Sequence, residues 1–497
     1  MATASPTATS SVTLQRRSWL ERLWTTIADR GSAYADVPSS AVPPLDRARQ
    51  LATALLGEKG EASGAAIARE LQAVVKELEG ADRVAFYSYL ASGFLPDEKR
   101  LREAATAYLA DANAETATQL ADASEPPRQE LLRRMNMSPG GTASLMAMRK
   151  ELLGKLNEAP ELKSLDSDLR HLFGSWFNRG FLQIRRIDWQ TPAAVLEKII
   201  TYEAVHEIQG WEDLRRRLAP DRRCFGFFHP ALPGEPLIFV EVALTRGLAS
   251  AVQPLLTRDV PEEQQKADAA NADTAIFYSI SNCQDGLRGV SFGNFLIKQV
   301  VEELKTELPS LRQFSTLSPV PSFRRWLERR VKDHPDADPL TAEEEFALTA
   351  VAPTQREEKT GTALLLDLAR SDEWWNNPAL AEALREPLVR LCAGHLVASG
   401  SRSRGGDPVA RFHLGNGARL ERINWLGNTA PRGFRESFGI MVNYLYDPDS
   451  IEANHEVFVR DGYVVRSPAV DMLVAKLNVP DAKMSARGSG KARLLKS

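Results

Sequence analysis

The residues best suited to chemistry lie in a glycine-rich turn that carries Gly286, Gly289 and Gly293. The turn follows a β-branched and aromatic run at 274–280 and leads into an amphipathic helix predicted over 294–306. Glycines let backbone N–H groups approach a ligand closely, and a helix N-terminus adds partial positive charge. The pattern therefore predicts an anion site suited to a pyrophosphate, and a glycine turn that only starts a helix is the structural alternative.

The elements around this turn divide the chain into two parts. Long Ala/Leu/Glu/Arg runs with helical spacing predict an all-α bundle over 36–185, with helices at 46–57, 62–79, 97–123 and 141–157. After residue 185, short β-branched runs alternate with helical stretches and predict strands at 224–229, 236–244, 274–280 and 311–320. The sequence thus predicts an α+β protein whose chemistry lies in a mixed α/β domain over 186–480. Residues 1–35 are predicted to be a disordered leader, and 481–497 a flexible tail.

Composition excludes several classes of function. The 497 residues are 43% hydrophobic and carry a formal charge of −3, which predicts a globular protein without a net field that would recruit nucleic acid or an anionic membrane. No run approaches the roughly 20 apolar residues that span a bilayer. Cys224, Cys283 and Cys392 lie far apart, and neither CxxC nor HExxH occurs, so the sequence predicts no disulfide scaffold and no metal site.

Several longer segments carry a family resemblance. They follow one another as YEAVHEIQGWEDLRRRL (202–218), DRRCFGFFHPALPGEPLIFVEVALT (221–245), FYSISNCQDGLRGVSFGNFLIKQVVEEL (277–304), FSTLSPVPSFRRWL (314–327), LREPLVRLCAGHL (384–396), VARFHLGNGARLERINW (409–425) and GIMVNYLY (439–446). Together they closely resemble the malonyl-CoA decarboxylase family. The resemblance covers a whole domain, and it implies conversion of malonyl-CoA to acetyl-CoA and CO₂.

The resemblance also implies an architecture. The family joins a helical N-terminal domain to a catalytic domain of the GNAT acyltransferase type, and it forms homo-oligomers, which predicts a dimer or tetramer through the helical domain. The glycine turn resembles the Arg/Gln-x-x-Gly-x-Gly/Ala loop of GNAT proteins, although its glycines fall at the second and sixth loop positions rather than the fourth and sixth. The residues predicted to bind the CoA part of the substrate are Arg288, Gly289, Val290, Ser291, Phe292, Gly293 and Asn294.

Three catalytic candidates follow from the same resemblance. His413 in ARFHLGNG matches the family's proton donor, and imidazole suits that role because its usual pKa lies near working pH. Ser318 in TLSPVP matches the catalytic serine, for which a hydrogen-bonding role is easier to defend than that of a base. Tyr446 in NYLYD is a further candidate. Without the resemblance, a packed structural histidine is the preferred interpretation of His413. A turn serine is a plausible account of Ser318, and a core aromatic is an equally good account of Tyr446.

The predicted reaction needs no added cofactor. Loss of CO₂ from malonyl-CoA leaves an enolate, and the thioester itself accepts the electrons, so the protein must only orient the carboxylate, stabilise the oxyanion and deliver a proton. Basic clusters at 215–217, 222–223 and 324–325 are interpreted as mainly solvated faces, one of which could meet the CoA 3′-phosphate.

Alternative interpretations stay open for the function and for the cellular location. A CoA-dependent acyltransferase and a non-catalytic acyl-CoA sensor are the alternatives. The Leu-Leu-Lys-Ser ending lacks the peroxisomal Ser-Lys-Leu, which favours a bacterial cytoplasmic enzyme over a mitochondrial one.

Overall fold

The chain folds into two compact units. The computed structural model describes residues 19–57, 60–290, 296–334, 338–352, 359–371, 373–400 and 406–477. The first unit comprises Met1–Gln183, Phe227–Ile238 and Asn282–Gly293, and the second comprises Ile184–Gly226, Phe239–Ser281 and Asn294–Ser497. Within the described ranges, no helix is long and apolar enough to cross a membrane.

The first unit is built mainly from nine helices in its described residues. They are α1 (Trp19–Gly31), α2 (Pro44–Leu56), α3 (Glu61–Glu77), α4 (Gly80–Gly93), α5 (Glu98–Ala110), α6 (Ala114–Ser124), α7 (Pro127–Asn136), α8 (Gly141–Lys155) and α9 (Lys163–Trp176), with 3-10 turns at Pro160–Leu162, Arg179–Phe181 and Asp285–Leu287. The predicted all-α character of this region is confirmed.

Two details of this unit differ from the predictions. The helix predicted over 97–123 is two helices, because Asn113 begins α6 by accepting hydrogen bonds from the N–H groups of Glu115 and Thr116 in a capping box. Part of the predicted leader forms α1, where Ala28 is fully buried. Residues 1–18 lie outside the described residues, as does the predicted tail at 481–497.

The second unit holds most of an eight-stranded sheet. The strands are β1 (Gln183–Ile187), β2 (Arg222–Phe228), β3 (Pro236–Thr245), β4 (Thr274–Asn282), β5 (Gln313–Thr316), β6 (Ser318–Pro319), β7 (Arg419–Asn424) and β8 (Met441–Leu445). Their order is β1-β2-β3-β4-β5-β8-β6, with β7 also pairing with β8. The four predicted strands are present, so the predicted α+β class is confirmed.

Thirteen helices, counted over the described residues, accompany the sheet. They are α10 (Ala193–Tyr202), α11 (Trp211–Arg217), α12 (Gln253–Leu256), α13 (Glu262–Ala270), α14 (Leu296–Glu307), α15 (Phe323–Asp333), α16 (Ala342–Val351), α17 (Gly361–Leu368), α18 (Pro378–Val397), α19 (Pro408–Gly415), α20 (Pro431–Ser437), α21 (Ile451–Asp461) and α22 (Pro468–Ala475), with a 3-10 turn at Trp374–Asn376.

The pairing around β8 sets the two faces of the sheet. β4 and β5 run parallel, and β8 runs antiparallel to β5 and β6 in one continuous register from Ser315↔Leu445 to Ser318↔Val442. Because side chains alternate along a strand, Thr316 and Ser318 share one face. The opposite face packs an apolar core of Ala243, Val252, Leu255, Ile276, Tyr278, Leu317 and Met441.

Candidate active site

The structure brings the three predicted catalytic side chains together in the second unit. Ser318 begins β6, His413 lies in the last turn of α19, and Tyr446 directly follows β8. Ser318 Oγ lies 3.0 Å from His413 Nε2, and Tyr446 Oη lies 2.8 Å from His413 Nδ1. All three side chains are buried. They form a hydrogen-bonded chain with the imidazole in the middle, an arrangement along which protons can pass.

A second polar network ties the serine segment to the histidine helix. Asp407 caps α19, and its Oδ1 accepts the N–H groups of Val409 and Ala410. Its Oδ2 accepts from Ser322 Oγ at 2.6 Å and from the Ser322 N–H at 3.1 Å. Ser322 Oγ also lies 2.8 Å from His395 Nε2. Since Ser322 is four residues after Ser318, this network fixes the segment of one catalytic candidate to the helix of the other.

Aromatic packing completes the surroundings of His413. The Tyr444 ring stacks on the imidazole with a centroid distance of 4.7 Å and an interplanar angle of 25°. Tyr446 meets the imidazole edge-on, and Phe277 of β4 lies 6.5 Å from the Tyr446 ring. This apolar packing holds the ring in one orientation and excludes water from it.

Burial makes the imidazole neutral. It lowers the pKa of His413 from 6.5 to about 3, and it raises the pKa values of the Tyr444 and Tyr446 hydroxyls well above their usual range. The usual imidazole pKa near working pH therefore does not apply to this buried ring. The physical reason is desolvation without an acidic partner on the ring.

The sequence reasoning missed several residues around this chain. They are Thr316, whose Oγ1 accepts from Ser318 Oγ at 2.9 Å, together with Ser322, His395, Asp407 and Tyr444. Strand alternation was a usable signal for two of them, because Thr316 lies two residues before Ser318 and Tyr444 two before Tyr446. No local pattern marks Asp407 or His395, which reach Ser322 only through the tertiary fold.

Only part of the predicted CoA turn is described, and that part belongs to the first unit. Arg288, Gly289 and Val290 are placed, whereas Ser291, Phe292, Gly293 and Asn294 lie outside the described residues. Gly289 has φ +76°, a conformation that favours glycine. The turn borders a cleft of about 180 Å³ lined by Leu237, Asn282, Gln284, Asp285, Leu287, Arg288, Gly289 and Val290.

Gly286 serves packing rather than ligand approach. A Cβ at this position would lie 2.2 Å from the backbone oxygen of Met146 in α8. The Gly286 carbonyl in turn accepts a hydrogen bond from Arg149 Nη1 at 2.7 Å. Gly286, one of the three glycines predicted to form the anion site, is therefore needed for the close packing of the turn against α8.

Charge at this cleft is locally positive. Asp285 pairs with Lys150 at 3.1 Å and with Arg288 at 3.4 Å, and the hydrogen bond from Lys150 holds the pKa of Asp285 below its usual range. One carboxylate thus faces two cations. The Arg288 side chain is 73% exposed, so it is free to turn from Asp285 to an incoming anion.

The interpretation of the basic clusters as solvated faces is wrong for three of their arginines. Arg216 binds Asp221 through two hydrogen bonds of 2.6 and 2.9 Å, and Arg222 binds the same carboxylate. Arg217 donates to Glu241 at 2.7 Å. All are buried, because paired guanidinium groups can enter a core that excludes isolated charges. These arginines are already engaged and do not offer a phosphate site.

Two sequence profiles match most of this chain. The sequence profile of the malonyl-CoA decarboxylase C-terminal domain matches residues 180–484, and that of the malonyl-CoA decarboxylase N-terminal domain matches 94–177. The mitochondrial malonyl-CoA decarboxylase of Mus musculus is 36% identical over 414 residues, which cover 80% of this chain and 83% of that protein. The corresponding protein of Anser anser anser is 39% identical over 359 residues, 71% of this chain and 70% of that one.

Solved structures show that the similarity to this chain includes the fold. The malonyl-CoA decarboxylase from Rhodopseudomonas palustris is 48% identical, covers 88% of this chain and all of its own, and superposes with a TM-score of 0.77. The one from Agrobacterium vitis is 47% identical, covers 86% of this chain and 99% of its own, and gives 0.74. The fold and these relatives together define a decarboxylase. The chain belongs to the malonyl-CoA decarboxylase family.

Proposed function

We propose that this chain decarboxylates malonyl-CoA to acetyl-CoA and CO₂ through a thioester enolate that is protonated by His413. The observation that carries the proposal is the buried Ser318–His413–Tyr446 chain in a member of this family. When the bond to the carboxylate breaks, its electron pair moves into the thioester carbonyl and CO₂ leaves. The enolate then takes one proton at carbon.

The neutral imidazole is compatible with this role. A thioester enolate is a far stronger base than a neutral imidazole or a tyrosinate, so even a weak acid in hydrogen-bond reach can protonate it. The malonyl carboxylate would also raise the pKa of a nearby imidazole by its negative charge. Ser318 Oγ is suited to orient His413 for this transfer, since it lies 3.0 Å from Nε2.

The CoA part is proposed to dock on the turn at Arg288, Gly289 and Val290 and the residues that follow to Asn294. The strand–turn–helix order and the parallel pairing of β4 with β5 support the GNAT-like reading of this domain. Arg288→Ala should raise KM about tenfold by removing a charge-assisted hydrogen bond and leave kcat unchanged. Lys163→Ala, an exposed cation of α9, is the control and should change neither constant.

The test of the proposed function is release of acetyl-CoA from malonyl-CoA with no added acceptor or metal, measured in a coupled assay. Activity should persist in excess chelator, because the thioester accepts the electrons. Product formation that needed an amine or alcohol acceptor would favour an acyltransferase instead. Activity lost with chelator and regained with a divalent ion would contradict the cofactor-free reaction.

We further propose that the helical part mediates homo-oligomer formation. None of the residues of α5 is buried, and Leu109 is 84% exposed, which is typical of a surface that another subunit covers. Leu109→Glu should therefore lower the oligomeric state in sedimentation. Val459→Glu, a comparable change at an exposed position of α21, should leave it unchanged. An unaltered oligomer in the Leu109 variant would place the interface elsewhere.

A further inference from the structure

Thr316 sets the direction of the hydrogen bonds at Ser318. This residue is fully buried. Its Oγ1 accepts from Ser318 Oγ at 2.9 Å and from the Tyr444 N–H at 3.2 Å. A serine hydroxyl has one proton to donate. Because that proton goes to Thr316, Ser318 can bind His413 only as an acceptor, so the hydrogen between them belongs to Nε2.

The other side of the imidazole follows from the first. A neutral imidazole carries one ring proton, so a proton on Nε2 leaves a lone pair on Nδ1. Tyr446 Oη, 2.8 Å from Nδ1, must then donate to it. The hydrogen bonds therefore run in one direction, from Tyr446 to His413 to Ser318 to Thr316.

We propose that Thr316 is a positioning residue that holds His413 as its Nε2–H tautomer, so that the proton for the enolate faces Ser318 and is replaced from Tyr446. This inference rests on the proposed decarboxylation and deepens it. In the transfer, His413 Nε2 gives its proton to the enolate carbon to form the new C–H bond, and Tyr446 gives its proton to Nδ1, so the imidazole stays neutral. After acetyl-CoA leaves, Nε2 takes a proton from solvent and Nδ1 returns its proton to the Tyr446 oxygen, which restores the Nε2–H tautomer, so each turnover consumes one proton.

Without the Thr316 hydroxyl, the direction of the hydrogen bonds along Tyr446, His413 and Ser318 should reverse. Ser318 would then donate to Nε2, and the ring proton would move to Nδ1 and point at Tyr446. The imidazole would have no proton on the Ser318 side, and Tyr446 could no longer resupply it. The geometry of the three side chains would be unchanged, and only the placement of the protons would differ.

The test is ¹⁵N NMR of the full-length protein with labelled histidine, combined with steady-state kinetics. The shift of a ring nitrogen reports whether it carries hydrogen, and His413→Asn identifies the signals. The wild type should show Nε2–H. Thr316→Val, which keeps the shape, should show Nδ1–H, with kcat lowered about 10²-fold and KM little changed. Thr316→Ser, which keeps the hydroxyl, should retain both the tautomer and kcat.

The outcomes separate this inference from the proposed function. An Nδ1–H tautomer in the wild type would overturn the role of Thr316 even if Thr316→Val failed to fold. An unchanged tautomer or an unchanged kcat in a folded Thr316→Val protein would do the same. A wild-type protein that did not decarboxylate malonyl-CoA would instead refute the proposed function, since the tautomer is read without substrate.

Discussion

Acidification should destabilise the fold through its buried histidines, and His413 allows the effect to be isolated. Its pKa is about 3 in the folded protein and 6.5 in an exposed chain. As pH falls below 6.5 the unfolded chain takes up a proton that the folded imidazole refuses. The stability that His413 contributes is thus fully present above pH 6.5 and is lost as pH falls toward 3.

The size of the effect follows from the two pKa values. Each pH unit below 6.5 costs about 1.4 kcal/mol per histidine, so pH 5 costs about 2 kcal/mol for His413. Burial also lowers the pKa values of His206 and His395, to about 3 and about 4, which adds a similar loss for each. Glu241 acts in the opposite direction, because burial raises its pKa to about 7 and its neutral form is favoured as pH falls.

Comparing the wild type with His413→Asn removes the pH-dependent contributions to stability that both proteins share. The free energy of unfolding should be measured by chemical denaturation at pH 7 and pH 5 for the wild type and for His413→Asn. The wild type should lose about 2 kcal/mol more than the variant between these pH values. His334→Asn replaces an exposed histidine and should keep the wild-type loss. Equal losses in the wild type and His413→Asn would refute the argument from burial.

The remaining predictions concern turnover and packing. In stopped assays, His413→Asn should lower kcat by about 10²–10⁴ with little change in KM. A double variant of His413→Asn and Ser318→Ala should be scarcely slower than either single variant, and additive losses would instead make the roles of the two residues independent. Gly286→Ala should lower the free energy of unfolding by about 1–3 kcal/mol, because its Cβ would meet the Met146 carbonyl. Gly154→Ala, in the same helix as Met146 but with no atom near its Cβ, should stabilise by about 0.5–1 kcal/mol, and equal effects of the two would contradict the packing role.

Local patterns predicted the helical character of the N-terminal part and four of the strand segments. Helical periodicity identified the N-terminal bundle, and β-branched runs identified β2, β3, β4 and the segment 311–320 that contains β5 and β6, because propensity and side-chain period act within a few residues. The segments around Ser318, His413 and Tyr446 carried the family resemblance for the same reason. The break at Asn113 was missed, although its capping pattern is local.

The sequence by itself therefore determined the two-part α+β organisation, the catalytic candidates and the family. Only the tertiary structure decided how these side chains come into contact and in which protonation state they lie. Ser318 and His413 are 95 residues apart in the chain, and their contact depends on the pairing of β6 with β8 and on the packing of α19. The neutral imidazole, the direction imposed by Thr316 and the packing role of Gly286 all arise from burial among distant residues, which no local pattern encodes.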